Sequence, residues 1–276
     1  MHPRALLAAH GIRPQKRFGQ NFLMDGGIAT RIARLAVDAA GDRVIEIGPG
    51  TGALTAALHA LGADLTALDL DPRMIAILAG RSDLGGVRIE TGDALAFDFA
   101  TWAGATPWRM AGNLPYNIAT PLLIRLAELA HPPERIVAMI QKDVADRLLA
   151  RPGTEQYGSL TVAIGLRMQV ERALTVGPAH FYPRPKVVSS VIVLRPHATP
   201  PVDVADPAAF ERIVRAAFAY RRKTVANSLA LALERPRAEM EALLERAGLR
   251  AEARGETLSL AEFAALARAF GESVPQ

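Results

Sequence analysis

The chain has 276 residues, half of them hydrophobic and 22% charged, which suits a folded protein with a large buried core and excludes a largely disordered one. It contains no cysteine, so disulfides, thiolate-held metals and a thiol nucleophile are excluded, and its six histidines lack ligand spacing, so no metal is expected. The net charge of +4 is unevenly spread: residues 1–40 and 142–196 each carry +4, residues 41–141 carry −4, and the rest is neutral. Such a layout suits a small-molecule site beside a polyanion-binding surface.

The opening "MHPRALLAAHGIRPQKRFGQ" has no long apolar core ahead of a small-residue cleavage site, and no later run approaches membrane-spanning length, so a cytoplasmic protein without membrane contact is expected. "VIEIG" (44–48) is a short β-branched run ending at glycines, and "ALTAALHAL" after it has helical spacing. The same alternation recurs in "LTALDL" (65–70) with "PRMIAILAG", in "VRIE" (87–90), in "WRMAGN" (108–113) with "ATPLLIRLAEL", and in "RIVAMIQ" (135–141) with "KDVADRLLA". Strands alternating with helices predict a mainly parallel sheet covered on both faces. "KVVSSVIVLRP" (186–196) predicts an antiparallel strand at the end of the sheet. The proline-rich "RPHATPPVDVADP" (195–207) reads as a linker.

Everything beyond the linker is helical in pattern, and Ser259 with Glu262 has capping-box spacing. The expected division is therefore residues 1–198 as one domain and 199–276 as a small helical one.

Gly48, Gly50 and Gly52 follow the first strong strand and precede a helix, where a ligand can approach the backbone and the helix N-terminus. Gly48, Gly50 and Ala53 also satisfy a dinucleotide fingerprint, so the loop alone leaves a nicotinamide or an S-adenosylmethionine cofactor open. Asp69 and Asp71, about twenty residues on, are placed to accept ribose hydroxyls. Asp93, at the end of the third strand, is a candidate acceptor for an adenine amine.

"NLPY" (113–116) lies at the carboxyl end of the fourth strand. An adenine amine is a poor nucleophile because its lone pair is delocalised into the ring, and two acceptors aimed at its hydrogens localise it. The Asn113 side-chain oxygen and the Leu114 carbonyl fill that role, Pro115 stiffens the chain, and Tyr116 offers a face for a base taken out of its stack.

N-L-P-Y preceded by "EIGPGTG" resembles the class I S-adenosylmethionine-dependent N6-adenine methyltransferases. "KRFGQNFLMD" (16–25), "FYPRPKVVSSVIVL" (181–194) and "FAYRRKTVANSL" (218–229) narrow the resemblance to the small-subunit ribosomal RNA adenine dimethyltransferases. These are relatives of the erythromycin-resistance methylases and of mitochondrial transcription factor B. The resemblance runs from about residue 12 to 270 and implies a Rossmann-like α/β fold, with a mostly parallel seven-stranded sheet, one antiparallel strand, and a small C-terminal all-helical domain.

It further implies S-adenosylmethionine as cofactor, with Asn21 and Leu23 near its methionine part, Gly48 and Gly50 beneath it, Asp69 on ribose, Asp93 on adenine, and Asn113 touching cofactor and target. Phe181 would stack on the target base opposite Tyr116. Relatives often carry glutamate where this chain has Asp69, which is one methylene shorter.

The implied partner is the RNA of an immature small ribosomal subunit, bound by a monomer. Lys16, Arg17, Arg221, Arg222 and Lys223 are expected to hold phosphates. Arg212 and Arg215 share a face with Arg222 if "FERIVRAAFAYRRK" is one continuous helix. A large-subunit target and a non-catalytic RNA-binding factor of the same fold are the alternatives.

Overall fold

The computed structural model describes residues 3–15 and 19–272. Lys16 and Arg17 lie outside the described residues. The chain forms two compact units, one of residues 1–145 and 169–196, the other of residues 146–168 and 197–276.

The first unit is the α/β one. Its elements in order are α1 (Pro3–Ala9), β1 (Phe22–Leu23), α2 (Gly26–Ala36), β2 (Arg43–Ile47), α3 (Ala53–Ala60), β3 (Asp64–Asp69), α4 (Pro72–Ala79), β4 (Arg88–Thr91), α5 (Phe99–Ala103), β5 (Arg109–Asn113), α6 (Ala119–Ala127) and β6 (Arg135–Gln141). The helix α7 (Lys142–Leu148) and then α8 (Ser159–Gly165) follow, and β7 (Met168–Val176), β8 (Phe181–Tyr182) and β9 (Ser189–Pro196) complete the strands.

Seven strands form one sheet in the order β4-β3-β2-β5-β6-β9-β7. The pairs β2–β3, β3–β4, β2–β5 and β5–β6 are parallel, and β9 runs antiparallel to β6. Chain order therefore reverses between β2 and β5, the switch point at whose carboxyl ends open α/β sheets bind ligands.

The central strands are apolar without alternation because both faces are covered: Val44, Ile45, Ile136, Val137, Ala138 and Met139 are fully buried. One face packs on Ile32, Ala33 and Ala36 of α2 and on Leu54 and Leu58 of α3. Gly112 in β5 allows the close approach of that strand to β2, since a Cβ there would stand 2.5 Å from the Ile47 carbonyl.

Two expectations change. The strand β9 is not at the sheet's end: β7 lies outside it, and its sequence, MQVERALTV, hides the strand behind four polar side chains, all exposed, as suits an edge. The pair β1–β8 forms a separate antiparallel two-stranded sheet, with Phe22 opposite Tyr182 and Leu23 opposite Phe181. The Met24 N–H, which donates to the His180 carbonyl at 2.8 Å, extends that pairing. Strands of two residues leave no periodicity to read.

The second unit is helical, built from α8, α9 (Pro207–Ala219), α10 (Val225–Leu233), α11 (Arg237–Arg246) and α12 (Leu260–Gly271). Ser259 and Glu262 form the expected capping box at α12. The segment 146–168, which the sequence left in the first unit, belongs here because Tyr157 and Val162 are buried with Phe210, Ile213, Val225 and Phe263. The helix α9 ends at Ala219, so Arg221, Arg222 and Lys223 sit on the turn to α10, and Arg222 does not share a helical face with Arg212 and Arg215.

Candidate active site

The loops after β2, β3, β4 and β5 converge with the segment 19–23 around a cavity of about 480 Å³ within the first unit. That volume suits a nucleoside-sized ligand. The sequence-picked residues Asn21, Leu23, Gly48, Gly50, Asp69, Asp93, Asn113, Leu114 and Tyr116 all line it.

The glycine loop bends by residues at positive φ, Gly48 at 70° and Gly50 at 54°. At Gly50 a side chain is excluded twice, by that φ and by the Phe22 ring, whose Cδ1 would stand 2.8 Å from a Cβ. The loop is held from behind by Arg81, whose Nη1 donates to the Thr51 carbonyl at 3.1 Å and the Gly52 carbonyl at 3.0 Å.

Asp69 accepts from the Gly50 N–H at 3.3 Å through Oδ2 and from the Asp71 N–H at 2.8 Å through Oδ1. Burial raises its carboxyl to about pKa 6. Asp71 does not line the cavity: it caps α4 and takes Gln20 Nε2 at 2.8 Å and Arg73 Nε at 2.8 Å. Asp71 is therefore a helix cap and not, as expected, a second acceptor for ribose hydroxyls. Through Gln20, Asp71 anchors the segment that carries Asn21.

Asp93 uses Oδ1 to accept from the Leu95 N–H at 2.8 Å, an Asx turn that aims an exposed carboxylate at the cavity.

Asn113 Nδ2 donates to the Asn21 main-chain carbonyl at 2.8 Å. That bond fixes which end of the amide is which, since the nitrogen is committed to the protein and Oδ1 is left as the acceptor. The Leu114 N–H donates to the Met139 carbonyl at 3.0 Å, tying NLPY to β6. Tyr116 is half-buried, which raises its phenol above the ordinary value despite a hydrogen bond with Ser189.

Phe181 is placed differently from the expectation: its ring is 3% exposed and packs with Leu23 and Val176 in the core. It stands outside the cavity lining and, buried as it is, presents no free face to a base.

Glu46 was missed. It is 1% exposed, lines the cavity floor, and its Oε2 has no hydrogen-bond partner among the described residues. Burial pushes its carboxyl to about 8, with the neighbouring Thr55 hydroxyl working against the shift and Asp69 adding to it. The signal in the sequence was a lone acid inside the apolar run VIEIG. Leu70, 52% exposed beside Asp69, also lines the cavity as an apolar surface for a flat ring.

These features fit S-adenosylmethionine: carboxylates lining the cavity at the ends of β3 and β4, a glycine loop open to close approach, and an orphaned buried carboxyl atom. The fold and site are those of a class I S-adenosylmethionine-dependent methyltransferase. The chain belongs to the ribosomal RNA adenine dimethylase family, whose model matches residues 11–270.

It is similar to "Ribosomal RNA small subunit methyltransferase A" of Geobacter sulfurreducens, with 45% identity covering 94% of this chain and 95% of that protein. The protein of that name from Methylococcus capsulatus is 44% identical, over 92% of this chain and 97% of that one. Among solved structures, a dimethyladenosine transferase from Plasmodium falciparum superposes with a TM-score of 0.73 at 25% identity, covering 91% of this chain and 98% of that one. The 23S rRNA methyltransferase ErmE gives 0.67 at 26%, covering 91% and 100%.

Proposed function

We propose that the protein transfers methyl groups from S-adenosylmethionine to the N6 amines of two adjacent adenosines in the 3′-terminal hairpin of small-subunit ribosomal RNA, giving N6,N6-dimethyladenosine as the subunit matures. S-adenosylmethionine supplies a methyl on a sulfonium, an excellent leaving group. The protein's task is then to hold and desolvate the amine in line with it.

The observation that carries the reading is the Asn113 Nδ2 bond to the Asn21 carbonyl, because it leaves Asn113 Oδ1 as an oriented acceptor for the target amine. The Leu114 carbonyl is the second acceptor, and Tyr116 supplies the stacking face. Asp69, Asp93, Gly48 and Gly50 hold the nucleoside part of the cofactor, and Asn21 and Leu23 border its methionine part. No general base is required, since the proton that the amine sheds is acidic once the methyl has arrived.

In the second unit, Arg221, Arg222 and Lys223 are exposed on the α9–α10 turn and would hold RNA phosphates. The small subunit is favoured as target because the relatives at 41–45% identity carry that name, whereas the large-subunit methylase similarity is at 26%.

Incubating the protein with methyl-labelled S-adenosylmethionine and undermethylated small or large subunits tests this. Label confined to small-subunit RNA is the expected result. Label on large-subunit RNA moves the target, and no transfer to either contradicts the proposal.

A further inference from the structure

Tyr220 is the only exposed aromatic side chain among the described residues, at 45% exposure. Its position is not loose. Its N–H donates to Ser228 Oγ at 3.2 Å, and its carbonyl accepts from the Lys223 N–H at 2.9 Å. Ser228, fully buried, donates its own hydroxyl hydrogen bond to the Ala216 carbonyl at 2.7 Å, anchoring the turn to α9. A ring presented on backbone pinned at both polar groups pays little extra ordering cost on binding.

The three residues that follow it on the turn, Arg221, Arg222 and Lys223, are basic and exposed. Arg221 Nη2 donates to the Glu155 carbonyl at 2.6 Å, the Gly153 N–H to the Glu256 carbonyl at 2.7 Å, and the Val225 N–H to the Ala253 carbonyl at 2.7 Å. Three loops are thereby tied together at one end of the unit. They carry Arg151, Arg221, Arg222, Lys223, Arg250 and Arg254 against Glu155, Glu252 and Glu256. Phosphates need the cations and have no use for an aromatic ring. A ring set among cations is what a strand with an unpaired base requires, because the base stacks while its flanking phosphates are neutralised.

The geometry points to Tyr220 as a stacking platform for an unpaired base of the ribosomal RNA, outside the reaction centre and distinct from the base to be methylated. This rests on the RNA substrate proposed above. The site gives the second unit a base contact that a purely electrostatic grip lacks, and it tells a bulged or looped nucleotide from continuous duplex.

The test measures binding of the full chain to undermethylated small subunits across a salt series, for wild type and for Tyr220→Ala, Tyr220→Leu, Tyr220→Phe and Tyr220→Trp. Stacking predicts roughly fivefold to tenfold weaker binding for alanine and leucine, near-wild-type binding for phenylalanine and tryptophan, and an unchanged salt slope throughout. S-adenosylmethionine affinity and the thermal midpoint report whether each variant is folded. Ultraviolet irradiation of the wild-type complex is expected to join a nucleotide to the peptide carrying Tyr220.

Wild-type affinity in the alanine variant overturns the platform, as does loss in the phenylalanine variant, which would assign the effect to the hydroxyl. A crosslink from that peptide to a ribosomal protein instead of RNA overturns it too. Failure of wild type to methylate the subunits is a different result, and it overturns the underlying function.

Discussion

Replacing Asn113 by aspartate separates two things that alanine removes together, the acceptor and the bond that aims it. In the wild-type protein Nδ2 donates to the Asn21 carbonyl at 2.8 Å. An ionised carboxylate keeps an acceptor for the target amine but sets oxygen against oxygen at that contact. Leaving the carbonyl unsatisfied costs about 1–3 kcal/mol, which is relieved if the introduced carboxyl keeps a proton and donates it to Asn21.

At 1.36 kcal/mol per unit, that penalty lifts an ordinary aspartate from about 3.9 to roughly 5–6. Below that range the protonated side chain reproduces the asparagine arrangement, donor to Asn21 and acceptor to the amine. Above it the side chain swings away, and the same 1–3 kcal/mol appears as a roughly 10- to 100-fold loss in rate. The assay is single-turnover methyl transfer to undermethylated small subunits at saturating S-adenosylmethionine, with Asn113→Asp divided by wild type at each pH. The ratio rises as pH falls from about 8 to about 5.5. Asn113→Ala stays roughly 10²–10³ below wild type throughout. A ratio that is flat with pH, or an aspartate variant as fast as wild type at pH 8, refutes the claim that the Asn21 carbonyl sets the amide.

Asp69, raised to about 6, must be ionised to accept both ribose hydroxyls, so S-adenosylmethionine affinity measured by calorimetry falls as pH drops through that value. Asp69→Asn abolishes this dependence and weakens binding roughly 10- to 100-fold. Glu46 has a folded pKa of about 8, above its ordinary 4.5, so the folded state holds the extra proton between those values and cofactor-free wild type loses stability as pH rises through that window. Glu46→Gln removes the titration, and its urea midpoint gains on wild type as pH rises. Gly50→Ala meets the Phe22 ring at 2.8 Å and a φ of 54°, so its thermal midpoint drops and its S-adenosylmethionine binding weakens together.

The sheet, its glycine loop and the carboxylates at the strand ends were legible because the strands buried on both faces are mostly apolar runs, and β2, β3 and β5 stop at Gly48, Asp69 and Asn113. What escaped was set by tertiary context. The strand β7 is an edge strand with Gln169, Glu171 and Arg172 in its sequence, and β1 and β8 exist only because residues 22 and 182 meet across the fold. The segment 146–168 has no composition of its own and joins the helical unit through Tyr157 and Val162.

At the site, sequence spacing identified which residues line the cavity. It did not show that Asp71 turns away to Arg73, that Phe181 is enclosed, or that Glu46 is buried at the cavity with Oε2 unpaired among the described residues. Those outcomes depend on neighbours contributed from other strands. Asn113 was readable as an acceptor, but its orientation depends on a main-chain carbonyl 92 positions away.

The reaction proposed for this cavity is methylation of adenine N6 in small-subunit RNA twice. Undermethylated small subunits treated with the protein and S-adenosylmethionine are digested to nucleosides and separated by mass and retention against N6-methyladenosine and N6,N6-dimethyladenosine standards. The expected result is N6,N6-dimethyladenosine as the accumulating product from wild type and its near absence from Asn113→Ala. Methyl groups on another base or on ribose, or dimethyladenosine formed equally well by Asn113→Ala, would contradict it.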